Sequence, residues 1–165
     1  MLILGIDPGS STVGYSLLDS AHSVRMIEAG LVQINSKNPK ERIQELYTGL
    51  SAIIKKHKPD VCAIERLFFV KNVKTGIAVA ESRGVILLTV AQADLSIYEY
   101  TPLEIKQIVT GSGKADKAQV EKMLRLTMPE LKNFQARDDV FDAIAVALTC
   151  HLREFRPSYN SGLHV

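Results

Sequence analysis

The chain has 165 residues, 46% hydrophobic and 23% charged, enough for one domain with a real core and too few for two large lobes. A net charge of +2 neither requires nor excludes nucleic acid as a partner. The two cysteines, Cys62 and Cys150, lie in apolar runs outside any metal-ligand spacing, which predicts core thiols in a reduced, cytoplasmic protein and argues against zinc. We see neither a secretory leader nor an apolar run near the ~18 residues of a membrane span.

The first part of the chain predicts three strands, over residues 2–7, 13–19 and 24–34, in an antiparallel meander. Gly9-Ser10-Ser11-Thr12 provides turn chemistry after the first strand, and Gly30 is a candidate bulge in the third. Apolar residues then recur every three or four positions, which predicts a helix beginning near Pro39 and ending in lysines before Pro59.

The second part alternates between strands and helices. Strands are predicted over 61–64 and 96–100, and helices over 74–93, from Thr101 to about 109, over 115–127 and over 138–154. The order βββ-α-β-α-β-α-α-α predicts one α/β domain over 1–155, with helices on the faces of a mixed sheet. Residues 156–165, polar with Pro and Gly, are expected to form a loose tail.

Carboxylates stand at the ends of predicted elements. Asp7 ends the first strand and Glu65 directly follows the fourth, so parallel neighbours would bring both acids to one edge of the sheet. The last helix begins "RDDVFDAIAVALTCHL", where Asp142 follows Asp139 by three residues and Asp138 by four. Individually Asp138 could be a helix cap, Asp7 a turn-former and Glu65 an exposed strand end. Together they predict a convergent site.

Such a cluster favours a divalent cation, because unpaired carboxylates at close range repel one another and are costly to bury. Ligand sets made of oxygen alone select Mg²⁺ or Mn²⁺. Two such ions ~4 Å apart are the usual arrangement for phosphodiester cleavage, so the acids indicate two Mg²⁺ ions, with Mn²⁺ able to substitute.

The motifs "GIDPGSSTVGYSLLD", "AIERLFFVKN", "ESRG", "IKQIVTGSGKADKAQV" and "DDVFDAIAVALTCH" resemble, in order, those of the RuvC family of bacterial Holliday junction resolvases. The resemblance implies a ribonuclease H-like fold with a five-stranded mixed sheet flanked by helices. It further implies a Mg-dependent endodeoxyribonuclease of DNA recombination and repair that makes symmetric paired nicks in four-way junction DNA, leaving 5′-phosphate and 3′-hydroxyl ends. A homodimer and a branch-migration motor complex (RuvA and RuvB) are the implied partners.

The resemblance also assigns residues. The family's four catalytic, metal-binding acids fall on Asp7, Glu65, Asp139 and Asp142. Asp139 is chosen because it has the family's three-residue spacing to the second acid. Asp138 is an extra acid beside the motif, and whether it shares the metal site stays open.

Aromatic and basic residues are the candidate DNA contacts. Phe68 matches the family's aromatic that stacks on unpaired bases, although a core position is the alternative, and Lys71 and Lys74 follow it. A second basic cluster contains Lys122, Arg125 and the three predicted DNA-binding lysines Lys106, Lys114 and Lys117; Lys106 and Lys117 match family lysines near the active site. A solvated helix surface is the alternative for this cluster. Residues 66–137 contain eleven Lys or Arg against seven Asp or Glu, which gives this part of the chain a positive balance.

Small residues recur along the second predicted helix. Gly76, Ala80 and Gly84 stand four residues apart, and such a stripe lets two helices approach closely. The resemblance places the dimer interface here, while packing against the chain's own sheet is the alternative.

Three other functions are alternatives. Another nuclease of the same fold, RNA-directed or transposase-type, would use the same acids. An actin-like ATP-binding module shares the "IDPG" loop but needs two lobes. A non-catalytic junction-binding protein would not need four acids.

Overall fold

The structure is a computed structural model that describes residues 1–21, 23–66 and 73–155, with residues 73 and 74 described by their backbone. Five strands form one sheet in the order β3-β2-β1-β4-β5. Their bounds are β1 Leu2–Asp7, β2 Thr12–Asp19, β3 Arg25–Gln33, β4 Val61–Glu65 and β5 Ser96–Tyr100. The meander β1-β2-β3 is antiparallel, and β4 and β5 extend it in parallel with β1. The predicted order and the mixed sheet are confirmed.

The helices are α1 Pro39–His57, α2 Val73–Gln92, α3 Pro102–Thr110, α4 Lys117–Thr127 and α5 Asp138–Cys150. Thr101 caps α3 and Glu104 closes the capping box, as expected for a cap followed by proline. A short 3₁₀ turn, Pro129–Leu131, joins α4 to the segment before α5. Within the described ranges no helix is long and apolar enough to cross a bilayer.

Three predicted details differ from the structure. Helix α4 begins two residues later than expected, because Asp116 adopts an extended conformation and caps it. Helix α5 ends at Cys150 and continues as a π-helical turn, His151–Phe155. The predicted bulge at Gly30 is wrong: Gly30 pairs regularly with Tyr15, and the register shifts where β3 faces Leu17 and Leu18.

Two hydrophobic cores lie on opposite faces of the sheet. One contains Ile3 and Ala63 with α5, and the other contains Leu4 and Ile6 with α1 and α2. Alternate residues of β1 therefore serve opposite faces, as strand geometry requires. Cys62 and Cys150 are both buried and free, which confirms them as core thiols. Burial raises the pKa of the Cys150 thiol to about 11, so this thiol stays protonated at neutral pH.

Helix α5 lies unusually close to the sheet because the strands beneath it carry small residues. A Cβ on Gly5 would lie 2.3 Å from the carbonyl oxygen of Ala143, and a Cβ on Gly14 would lie 2.0 Å from that of Asp139. The hydroxyl of Ser16 donates a hydrogen bond to the Ala143 carbonyl at 2.9 Å. These contacts fix the first turn of α5 over the end of the β1-β2 ladder, where Asp7 lies.

Candidate active site

Asp7 and Glu65 come together at the carboxyl ends of parallel neighbours. Ile6 pairs with Ile64, so the next residues of β1 and β4 emerge side by side. Their carboxyl groups hydrogen-bond to each other. Burial, followed by the neighbouring carboxylate of Glu65, raises the pKa of Asp7 to about 9. Burial also raises the pKa of Glu65.

Helix α5 brings two further acids to this edge. Asp142 and Asp139 both lie near enough to Asp7 to raise its pKa. The hydroxyl of Thr12, at the start of β2, donates to Asp139 Oδ2 at 3.0 Å. The four acids expected from the sequence thus converge from β1, β4 and α5.

The two acids that α5 adds to the cluster each form an ion pair with a basic side chain. Lys117 Nζ lies 2.8 Å from Asp142 Oδ2 and 3.4 Å from Asp138 Oδ2. Arg137 Nη2 lies 3.2 Å from Asp139 Oδ2. Asp138 is 75% exposed in its side chain and points to Lys117, on the outer side of the cluster.

The acids are near neighbours without forming a closed ligand shell. Among residues 1–21, 23–66 and 73–155, no three Asp, Glu, His or Cys side chains are grouped tightly enough to coordinate one ion. Mutual repulsion and the two basic partners account for the spread, because each outer carboxylate is drawn toward its own cation.

A cavity of about 220 Å³ opens beside Glu65 and Asp142. Lys106 of α3 and Lys117 of α4 stand on its wall, and Ile105, Val120 and Ala145 contribute apolar surface. Both lysines lie near enough to favour ionisation of Glu65. Two of the three predicted DNA-binding lysines of this cluster therefore border the acids, while Lys114 is exposed on the loop before α4.

The other predicted contacts divide into three groups. Phe68 and Lys71 lie outside the described residues, and Lys74 is described only by its backbone in α2. Ala80 and Gly84 are exposed, and a Cβ on Gly84 would meet nothing within 4 Å. Gly76 is half-buried on the same helix. Packing of the whole stripe against the chain's own sheet is therefore not what the structure shows.

Two residues of the site, Thr12 and Arg137, are absent from the set of site residues expected from the sequence. Thr12 is expected only as a turn residue, and no local signal reveals its contact with Asp139, 127 residues away. Arg137 directly precedes the acidic motif, so its position beside Asp139 is the signal that could have identified it. Arg125, included in the second basic cluster, instead contacts Glu121 and the carbonyls of Leu131 and Phe134. It joins α4 to the following turn.

The sequence matches the family model for crossover junction endodeoxyribonuclease RuvC over residues 3–151. The RuvC of Caldicellulosiruptor saccharolyticus is 48% identical over 155 residues, which cover 92% of each chain. The RuvC of Halothermothrix orenii is 45% identical over 94% of each chain. The fold of T. thermophilus RuvC, solved with a Holliday junction substrate, matches with a TM-score of 0.84 at 28% identity, covering 92% of this chain and 93% of that one. The expected ribonuclease H-like fold is thereby confirmed, and the chain belongs to the RuvC family of crossover junction endodeoxyribonucleases.

Proposed function

We propose that this chain resolves Holliday junctions in DNA recombination and repair by Mg²⁺-dependent hydrolysis at the cluster of Asp7, Glu65, Asp139 and Asp142. The convergence of these four acids at one edge of the sheet carries the proposal. The relatives named RuvC, and the related structure solved with a Holliday junction, support four-way DNA as the substrate.

The donor set fits a hard divalent cation. All four groups offer carboxylate oxygens, the ligands that Mg²⁺ and Mn²⁺ prefer. Burial, followed by the neighbouring carboxylates, raises the pKa of Asp7 to about 9, so the negative charge of this carboxylate is costly without a nearby cation. Bound divalent ions would supply a water of lowered pKa and stabilise the leaving 3′ oxygen, consistent with in-line attack giving 5′-phosphate ends.

The chain's own residues position these groups. Thr12 orients the Asp139 carboxylate through its hydrogen bond, and the register of β1 with β4 fixes Asp7 beside Glu65. Lys106 and Lys117, on the cavity wall, can hold a scissile phosphate next to the acids. A Cβ on Gly9 would lie 2.0 Å from the Thr12 carbonyl oxygen, so the turn after Asp7 itself requires the glycine.

A homodimer formed through α2 completes the proposal. Ile77 and Leu88 are exposed hydrophobics on this helix, beside the exposed Ala80 and Gly84. A two-fold pair of active sites would match the two-fold symmetry of a four-way junction. Phe68, Lys71 and Lys74 precede or begin α2 in the chain, and we propose them as base-stacking and backbone contacts near the cut site. A branch-migration motor (RuvA and RuvB) is the proposed further partner.

A comparison of substrates tests the function. With Mg²⁺, purified protein should cut a synthetic four-way junction symmetrically, while a linear duplex and an RNA–DNA hybrid of the same sequence stay intact. Chelation of the metal should stop cutting without abolishing junction binding. Preferential cutting of the hybrid would instead assign the chain to an RNA-directed activity of the same fold.

A further inference from the structure

Lys117 lies at the N-terminus of a helix, an unfavourable position for a cation that only its contacts with nearby carboxylates offset. It is the first residue of α4, where the partial positive charge of the helix N-terminus disfavours a cation. Its ammonium group nevertheless contacts two carboxylates of the neighbouring helix, those of Asp142 and Asp138. The side chain is 64% exposed, so it is accessible to a bound nucleic acid.

Arg137 repeats this arrangement on the other side of the cluster. It precedes the first turn of α5 without making a side-chain cap, again at the positive end of a helix. Its guanidinium contacts Asp139, and the side chain is 62% exposed. Each acid that α5 contributes to the proposed metal site is thus paired with one exposed cation supplied by the chain.

We infer that Lys117 and Arg137 are stand-in counterions, which exchange their carboxylate partners for DNA phosphates when divalent metal occupies the site. This inference rests on the proposed metal site. Two divalent ions would balance four carboxylates, so the acids would then need neither basic side chain. Both cations already lie at the cluster edge, on exposed side chains long enough to turn outward.

The exchange links metal binding to DNA binding. Metal occupancy would add two cations to the DNA-facing surface, and each phosphate contact releases counterions from DNA. By thermodynamic reciprocity, bound junction would tighten metal binding by the same factor. Asp138 lies outside the proposed ligand set and offers Lys117 a second carboxylate. Asp138 would therefore hold Lys117 at the edge of the cluster after metal binds, until a DNA phosphate displaces it.

The salt dependence of junction binding tests the exchange, with Ca²⁺ as a metal probe for the full-length protein and a junction of fixed sequence. For the wild type, the slope of log K against log salt should steepen by about 2 when Ca²⁺ replaces chelator, because two phosphate contacts are gained. In the Lys117→Gln/Arg137→Gln variant the slope should be the same under both conditions. Lys114→Gln is the matched control, and its slope should steepen with Ca²⁺ as in the wild type.

Calorimetry of Ca²⁺ binding without DNA completes the test. Lys117→Gln and Arg137→Gln should each bind Ca²⁺ up to about fivefold more tightly, since no ion pair has to break first, and Lys114→Gln should not. Asp7→Asn should weaken Ca²⁺ binding and lose the change in slope. Absence of Ca²⁺ binding by the wild type would overturn the metal site and this inference together. Ca²⁺ binding that is lost in Asp7→Asn, combined with a wild-type slope that Ca²⁺ does not change, would overturn the exchange alone.

Discussion

The two parts of α5 have opposite environments. Its first turn, from Asp138 to Asp142, carries three acids, of which Asp138 contacts Lys117 and the other two face Lys117 or Arg137 beside Asp7. From Ala143 to Cys150 every residue is buried, and this part packs on β1, β2 and β4. One helix therefore serves the proposed active site through the acids of its first turn and the core through its buried residues, which include Val140 and Phe141.

This contrast predicts that substitutions of the acids and substitutions in the core part of α5 change different properties, cutting in the first case and stability in the second. Substitutions of the acids in the first turn should alter cutting with little loss of stability, because the acids repel one another and Asp138 is largely exposed. Substitutions further along should alter stability while leaving the chemistry of the folded fraction intact.

The largest effect is expected for Asp7→Asn and Asp142→Asn. Each should reduce junction cutting by roughly 10³-fold or more, since a charged ligand of the proposed metal site is lost, while junction binding persists. Cleavage and gel-shift assays with Mg²⁺ on the same samples measure both properties. Cutting near the wild-type rate by either variant would remove that residue from the site.

The adjacent acids Asp138 and Asp139 should differ sharply. Asp139→Asn should lose activity, because Asp139 hydrogen-bonds to Thr12 and lies near Asp7. Asp138→Asn should keep most of its activity, because that side chain faces Lys117 on the outer side of the cluster. The comparison needs only cleavage rates at saturating Mg²⁺, and the reverse ranking would reassign the metal ligand.

The core part of α5 should respond in the opposite way. Ile144 is fully buried, so Ile144→Ala should lower the free energy of unfolding by about 2–5 kcal/mol, with a smaller loss for Ile144→Val. Denaturant unfolding and junction cleavage, measured below the melting temperature, give the two readouts. A variant of normal stability that cannot cut would break the proposed separation.

The prediction with the smallest expected effect on cutting concerns how the stability of the metal-free protein changes with pH. The folded state raises the pKa of Asp7 from 3.8 to about 9, so the folded chain retains a proton that the unfolded chain releases. Stability attributable to Asp7 should therefore fall as pH rises from about 4 to about 9. Melting temperatures with chelator should show this decline in the wild type and a flatter profile in Asp7→Asn. An identical decline in both proteins would show that Asp7 is not the group responsible.

Local patterns in the sequence predict most of the helices and strands. The spacing of apolar residues predicts the α1 face, and Thr101-Pro102 predicts the start of α3, which the capping box confirms. The end of α5 was misjudged because the apolar pattern continues past Cys150 while the backbone changes to a π-helical turn. The predicted bulge at Gly30 is wrong because a glycine in a strand can also mark a close contact, here with the ring of Tyr15.

The four acids of the site could be predicted from the sequence, whereas the hydrogen bond of Thr12 to Asp139 could not. Asp7 and Glu65 follow apolar strands, so their convergence follows from the parallel pairing of β1 and β4. The contact of Thr12 with Asp139 depends on how closely α5 lies on the sheet, which Gly5 and Gly14 permit. A close approach of this kind arises from tertiary packing and leaves no periodic signal in the sequence.

The central claim is that the acids of β1, β4 and α5 form one divalent-metal centre. Titration of metal-free protein with Mn²⁺, followed by electron paramagnetic resonance, tests it most directly. We expect about two bound Mn²⁺ ions per chain for the wild type and fewer for both Asp7→Asn and Asp142→Asn, with Asp138→Asn unchanged. Mn²⁺ binding that is absent in the wild type, or equal in all four proteins, would contradict the claim.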